Sequence, residues 1–260
     1  MIPKIIHYCW FGSNEKSEKI KKCIESWKKY LPDYEIKEWN ENNFDLNICN
    51  YVKDAYAAKK WAHVSDYTRA FALYHEGGIY LDTDVEIKRN LDEFLTHGAF
   101  SGFEMKGFCF TALWGASKNH HWPKKVLEYY EKKEFSLETN TVSITKILEE
   151  EYKINKNIDE LQNYNQDIYI YPSNYFCLDI PNYAVHHFEG SWLNKSENHN
   201  WKDYIHKKHT ENEFLKNYNN FYEAFNFIKK ELKIRDIEIL IFILKLFIIF
   251  KVLLFSLTTS

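Results

Sequence analysis

One block constrains this chain more than any other. Trp61 to Glu76 runs without glycine or proline, Gly77-Gly78 follows, then Ile79-Tyr80-Leu81, then Asp82-Thr83-Asp84. Val64, Tyr67, Phe71 and Tyr74 recur at helical spacing in the first part, which predicts a helix with one apolar face. The double glycine allows the left-handed backbone that ends a helix without a Cβ clash. The apolar tripeptide reads as a buried strand. Side chains two apart on an extended segment point the same way, so Asp82 and Asp84 are expected side by side at the strand's end. Open α/β sheets bind ligands at the carboxyl ends of their strands. Paired carboxylates there offer hard oxygen ligands for Mg²⁺ or Mn²⁺, which in turn bind diphosphate oxygens. A bare D-x-D is common in solvated turns; the helix, double glycine and strand ahead of it give this one its weight.

The rest of the chain fits an open, mostly parallel sheet. Lys4 to Tyr8 is a short apolar run between Pro3 and Gly12, and it reads as a first strand and not as a signal peptide. Ser17 is a candidate N-cap for a helix carrying Ile20, Ile24, Trp27 and Leu31, which Pro32 stops. Tyr34, Ile36 and Glu38 mark a second strand, and Trp39-Asn40 leads into a polar loop. This β-α-β opening is typical of α/β folds. Further helices are expected over Trp122 to Lys132 and Ser143 to Tyr152. Strands are expected within Phe100 to Leu113, at Ile168 to Tyr171 and at Ala184 to Phe188.

The 260 residues give room for one sizeable α/β domain, 1–200, and an appendage, 201–260. A net charge of -3 argues against nucleic-acid binding. Five widely spaced cysteines with no C-x-x-C pair argue against a disulfide framework or zinc knuckle and for a reducing compartment. P-loop, dinucleotide-binding, nucleophile-elbow and zincin motifs are absent from the sequence. Aromatic residues reach 18%; rings suit a site that stacks on bases and sugars, and they suit a large core equally.

Other candidates carry a bland alternative. His63, Asp66 and Arg69 fall three apart on one helical face, placed either to hold sugar hydroxyls and phosphate or to form an intrahelical ion pair worth a few tenths of a kcal/mol. Spacing alone favours the ion pair. Trp10, beside Gly12, is either a base-stacking ring or a core tryptophan. His186 and His187 lie on a late strand, and imidazole is a good Mn²⁺ ligand, although paired histidines are more often structural. Residues 219–232 read as an amphipathic helix. Residues 237–257 are strongly apolar but broken by Glu238, Lys245 and Lys251, and each lysine would cost about 2.5–3.5 kcal/mol at a bilayer centre. With Lys229, Lys230, Lys233 and Arg235 ahead of it, the segment suits a helix lying on a membrane surface, or one packed on protein.

Together, Ile5 to Gly12, Ser65 to Arg69 and Gly77 to Asp84 resemble glycosyltransferase family 32, the D-x-D sugar transferases that include bacterial capsular-polysaccharide enzymes. The catalytic domains of large clostridial glucosylating toxins are similar. The resemblance runs from Pro3 to about Glu104 and returns at His186 to Trp192. It implies a GT-A type α/β fold with a Rossmann-like nucleotide-binding sheet, a UDP-sugar donor, Mn²⁺ or Mg²⁺, and retention of anomeric configuration. Carried over by residue, it implies Trp10 stacked on the base, Asp66 and Arg69 on the donor sugar, and Tyr80 flanking the site. Asp82 would touch ribose, sugar and metal, Asp84 would bind the metal directly, and His186 would join it. Ser191 and Trp192 would close over the diphosphate. A Gly-Pro after a threonine, present in some members, is missing around Thr139 to Thr145, which leaves the acceptor side less defined. Sugar choice would depend on pocket shape near Asp66 and Arg69 and around Gly102 to Glu104.

The expected function is transfer of a hexose to an oligosaccharide or lipid-linked acceptor in capsule or lipopolysaccharide synthesis, in the cytoplasm at the inner face of the membrane. The alternatives are a protein-modifying transferase and a non-catalytic sugar-nucleotide or carbohydrate-binding protein.

Overall fold

Ser17 starts the first helix as its residue type predicts: its Oγ accepts from the Ile20 backbone N–H at 3.3 Å. That satisfies one of the donors every helix start leaves over. In the computed structural model, which describes residues 1–12, 14–180 and 182–190 together with 204, 207 and 222, helix α1 spans Glu18–Tyr30. It buries Ile20, Cys23 and Trp27. The flanking strands β1 (Ile5–Cys9) and β2 (Glu35–Trp39) pair in parallel, with Ile5 opposite Glu35 and Cys9 opposite Trp39. The next helix, α2 (Asn50–Ala57), falls where the sequence reads as loop. It shows only Tyr51, Val52 and Ala55 to the core, and no side chain caps it. So short an apolar face is not periodic enough to stand out from polar sequence.

Helix α3 (Trp61–Glu76) buries far more of its circumference than one face. Val64, Tyr67, Ala70 and Leu73 are buried, and so are His63, Asp66, Thr68 and Arg69. Phe71 and Tyr74 are only partly buried. The polar members face a cleft, so α3 is at once a core helix and a wall of the site. Gly77 ends it at φ +72°, its N–H bonding the Leu73 carbonyl at 3.0 Å. A Cβ on Gly78, at φ +114°, would lie 2.6 Å from the Ile5 carbonyl oxygen. The double glycine is therefore a steric requirement for bringing β3 (Gly78–Leu81) beside β1.

The remaining elements are β4 (Val85–Ile87), β5 (Ala99–Met105), β6 (Phe108–Ala116), α4 (His121–Lys132), α5 (Asn140–Tyr152), β7 (Gln162–Tyr164), β8 (Ile168–Tyr171), α6 (Ser173–Phe176) and β9 (Ala184–His186). Seven strands form one sheet in the order β2-β1-β3-β6-β5-β8-β7, and β4 pairs with β9 in a small second sheet. Within the large sheet β6 and β7 run antiparallel to their neighbours and the other five strands point the same way. This is the α/β, GT-A type architecture that the sequence resemblance implies.

Two apolar clusters hold the layers together. One includes Leu73 of α3, Trp122 of α4 and Leu148 of α5; the other includes Trp27 of α1, Phe94 and Phe176. Trp27, Trp114, Trp122, Phe94, Phe103 and Phe176 are among the fully buried side chains. Much of the high aromatic content therefore fills core, at about 1.5–3 kcal/mol for each fully buried phenylalanine-sized side chain. All five cysteines are free thiols, and no disulfide is formed.

The chain divides into two compact units, Met1–His209 and Thr210–Ser260, and the sheets belong to the first. The expected helix at 219–232 and the apolar segment at 237–257 lie outside the described residues. Among the described residues no helix is long and apolar enough to cross a membrane.

Candidate active site

Beyond Leu81 the chain leaves the sheet through a tight turn. The Asp82 N–H donates to the Ala112 carbonyl at 2.7 Å, and the Val85 N–H returns to the Asp82 carbonyl at 3.0 Å. Asp82 and Asp84 are thus presented by a turn, with Thr83 between them, and not by the alternation of an extended strand. Their convergence depends on a second element. β9 pairs with β4 so that His186 lies opposite Val85. The His187 N–H donates to the Asp84 carbonyl at 3.0 Å, and the Glu189 N–H donates to Asp84 Oδ2 at 2.8 Å. His186 Nε2 then stands 3.4 Å from Asp84 Oδ1. Alternation along β9 sends His187 elsewhere, and its Nε2 meets Glu86 Oε2 at 2.9 Å.

The other wall comes from α3. Arg69 Nη2 lies 3.0 Å from Asp66 Oδ1 and 3.3 Å from Asp82 Oδ1. Arg69 Nη1 donates to the Thr111 carbonyl and Oγ1, and Nε donates to the Ser65 carbonyl. The guanidinium lies 4.6 Å from the Tyr80 ring centre, and the Tyr80 hydroxyl donates to Asp82 Oδ1 at 2.9 Å. The ion pair that spacing favoured for Asp66 and Arg69 exists, yet it is no solvated surface pair. Both residues are buried, at 4% and 5% exposure, and the pair continues into Asp82.

These groups line a cleft of about 480 Å³. Among the described residues around it, six carboxylates (Glu15, Asp66, Asp82, Asp84, Glu104 and Glu189) face one guanidinium, Arg69. Burial works against the charge on Arg69, but Asp82, Tyr80 and Asp66 outweigh it and raise its pKa. Burial likewise opposes ionisation of Asp84, and His186 with the Glu189 N–H reverses this, taking its carboxyl below the ordinary range. Burial raises Asp82 despite Arg69, because the Asp84 charge lies beside it. His186, which burial would lower, is raised by Asp84.

Ligand atoms of Asp82, Asp84 and His186 all lie within 4.8 Å of one another. His186 Nδ1 is buried without a hydrogen-bond partner among the described residues. Two carboxylates and one imidazole at this spacing fit a divalent ion such as Mn²⁺.

Residues 17–101, the stretch that carries Asp66, Arg69, Asp82 and Asp84, match the family model described as the glycosyltransferase sugar-binding region containing the DXD motif. About a third of the chain thus resembles the sugar-binding region of DXD glycosyltransferases. Over 107 residues the chain is 35% identical to inositol phosphoceramide mannosyltransferase 3 of Schizosaccharomyces pombe, covering 38% of this chain and 29% of that one. The chain thus matches less than a third of that relative's length. Over 220 residues it is 27% identical to an uncharacterized glycosyltransferase of Acanthamoeba polyphaga mimivirus, covering 74% and 84%. Among solved structures, the PaToxG glycosyltransferase superposes with a TM-score of 0.48 at 22% identity, over 58% of this chain and 70% of that one.

Of the residues singled out by sequence, the fold brings Asp66, Arg69, Tyr80, Asp82, Asp84 and His186 together. Trp10 lies at the same cleft. Its ring is half-buried, its Nε1 donates to the Asn14 carbonyl at 2.7 Å, and Lys16 Nζ stands 5.0 Å from the ring centre. Ser191 and Trp192 lie outside the described residues. Sequence reasoning missed Thr111 and Asn140. Thr111 anchors Arg69 and donates to Asn140 Oδ1 at 2.6 Å. Asn140 opens α5 and its Nδ2 donates to the Tyr130 hydroxyl at 3.1 Å. Neither stands in a recognisable motif; only the fold sets β6 and α5 against α3.

Proposed function

We propose that this protein is a retaining hexosyltransferase that takes its sugar from a UDP-sugar, with Mn²⁺, and passes it to an oligosaccharide or lipid-linked saccharide. The observation that carries the reading is the convergence of Asp82, Asp84 and His186 ligand atoms within 4.8 Å, in a cleft that also holds Arg69 and Trp10. Trp10, at the end of β1, stacks on the base. Asp66 and Arg69 hold the sugar, Tyr80 supports Arg69 and Asp82 from below, and Asp82, Asp84 and His186 hold the ion. A divalent ion there supplies charge stabilisation to the departing diphosphate.

The protein's own part is electrostatic and positional. Arg69, already oriented by Asp66, Asp82 and Thr111, faces the developing negative charge without reorganising. Attack comes from the face the diphosphate leaves: the acceptor oxygen bonds to the anomeric carbon, the bond to phosphate oxygen breaks, and the acceptor proton passes to that oxygen.

The yeast relative is named for mannosyl transfer to inositol phosphoceramide, which supports a lipid-linked acceptor and puts mannose among the sugars to test. Residues 1–200 would form the catalytic domain and 201–260 a helical extension. Residues 237–257 would rest on the inner membrane face beside acceptors of capsule or lipopolysaccharide synthesis.

The test is hydrolysis of a panel of UDP- and GDP-sugars by purified protein with Mn²⁺ or EDTA and no acceptor. Slow Mn²⁺-dependent release of nucleotide from one sugar is expected. Silence across the panel, together with no nucleotide binding by calorimetry, would replace the reading with a carbohydrate-binding one.

A further inference from the structure

β5 runs parallel to β1 and β3, because β6 is antiparallel to both β3 and β5. The carboxyl ends of β1, β3 and β5 therefore lie along one edge of the sheet. Along that edge stand Trp10, just past β1; Asp82 and Asp84, just past β3; and, beyond β6, Glu104 at the end of β5. Glu104 sits on the far side of the aspartate pair from the tryptophan.

A break in strand pairing aims Glu104. Phe103 pairs with Cys109 and Met105 with Phe108, so Glu104 is the extra residue of a bulge between β5 and β6. Bulges re-aim one side chain and recur beside active sites. Here the bulge gives Glu104, on a strand buried along its whole length, a place in the cleft wall beside Phe110 and Thr111.

Glu104 is 5% exposed, and its carboxylate has no hydrogen-bond donor among the described residues. The other carboxylates of the catalytic cluster are all engaged. Asp66 pairs with Arg69, Asp82 with Arg69 and Tyr80, and Asp84 with the Glu189 N–H and His186. Burying an acid without a partner is costly; burial pushes the Glu104 carboxyl up to about 7. Nor does Glu104 belong to the ligand set that Asp82, Asp84 and His186 form.

We infer that the Glu104 carboxylate is a binding group for a sugar hydroxyl at the end of the cleft away from Trp10, accepting a charge-assisted hydrogen bond from it. The inference rests on the transferase reading. Its chemistry is that of any carboxylate facing a polyol: the hydroxyl donates, the carboxylate accepts, and the bond is worth most in a site closed to water. The hydroxyl belongs either to the transferred sugar or to the incoming saccharide, and the two are separable by measurement.

The experiment compares wild type, Glu104→Gln and Glu104→Leu, with Mn²⁺ and the nucleotide sugar the wild type turns over. Calorimetry reads affinity for UDP and for the UDP-sugar, and initial rates read KM for a panel of methyl glycosides as acceptors. UDP affinity is expected to stay within about twofold. If the hydroxyl is the donor's, the affinity of the UDP-sugar over UDP falls on the order of tenfold in the glutamine variant, and further in the leucine variant. If it is the acceptor's, that affinity holds and the KM for the methyl glycoside rises on the order of tenfold. Unchanged values for both in both variants overturn the inference. Apo thermal stability is a separate readout: removing an unpaired buried carboxylate should raise the Tm of Glu104→Leu, whereas a fall would show a structural role and overturn the inference. A wild type silent on every nucleotide sugar fails the transferase reading, while the Tm comparison still decides whether Glu104 is held unpaired for a ligand.

Discussion

Among the described residues two histidine–carboxylate clusters sit at different edges of the large sheet, and each brings three metal-type ligand atoms within 4.8 Å. One is Asp82, Asp84 and His186 at the carboxyl end of β3. The other is His120, His121 and Asp167, next to the amino ends of β5 and β8. In the second cluster every ring nitrogen has a partner. His120 Nδ1 accepts from the Trp122 N–H at 3.1 Å and so caps α4. The hydrogen of the neutral ring is then on Nε2, facing Asp167 Oδ2 at 3.0 Å. His121 meets the same oxygen at 2.8 Å and the Tyr152 hydroxyl at 3.1 Å. The Asp167 carbonyl also accepts from the Gly98 and Ala99 N–H groups. This is a staple between α4, β5 and β8. In the first cluster valences are left over: Asp84 and His186 stand 3.4 Å apart, longer than a good hydrogen bond, and His186 Nδ1 has no partner among the described residues. Ligand count and residue type do not separate a metal centre from a staple. The hydrogen bonds already spent do.

The largest expected effect breaks the first cluster. Asp84→Ala should reduce turnover by about 10³-fold or more, the order lost with one strong electrostatic stabiliser, with the circular dichroism spectrum unchanged. It should also abolish any Mn²⁺-induced rise in Tm. Near-normal turnover would end the distinction drawn between the clusters.

Next in size is the Trp10 end of the same cleft, the proposed place of the nucleotide base. Trp10→Ala should weaken UDP binding by about 1–3 kcal/mol, the worth of one base–aromatic stack, as read by calorimetry. Unchanged affinity would make Trp10 a packing residue that happens to line the cleft.

Asp167→Asn tests the staple from the other side. It should cost about 1 kcal/mol of unfolding free energy and leave both turnover and the Mn²⁺ shift within twofold of wild type. Loss of the Mn²⁺ shift in this variant would show that the second cluster binds metal after all.

The smallest effect concerns a wholly buried histidine outside both clusters. His7 Nε2 bonds the Gly77 carbonyl at 2.7 Å, and its Nδ1 accepts from Trp39 Nε1 at 3.1 Å, so the ring is held neutral between the end of α3 and β2. Burial lowers its pKa below the ordinary value. The unfolded state then takes up the proton first, so this contribution is complete above about pH 6.5 and is lost as pH falls through the folded value. Chemical unfolding from pH 7.5 to 5 should show a shallow decline that His7→Gln flattens; an identical slope in the variant would assign the decline to other groups.

The α3–β3–D-x-D block was legible because its signals are local: a glycine-free helix, a steric need for Gly77 and Gly78, and an apolar strand. The same holds for α1 with its Ser17 cap, and for β8, whose bounds coincide with those expected. Helix α2 was not legible, since three buried residues make no period. The residues themselves left His186 and His187 open and only motif position in the resemblance chose His186; the β4–β9 register is what sets it opposite Val85.

By itself the sequence determined α1, α3, β3, β8 and the D-x-D motif, since each rests on spacing within a few residues and on the sterics of glycine. Tertiary structure alone decided three things. The Asp66–Arg69 pair became buried and continuous with Asp82, the β4–β9 register carried His186 to within 3.4 Å of Asp84, and Glu104 was turned by a bulge into the cleft without a partner among the described residues. Each depends on strands and helices far apart in the chain meeting at one sheet edge, and the cost of leaving a buried polar group unpaired is set there and not by its sequence neighbours.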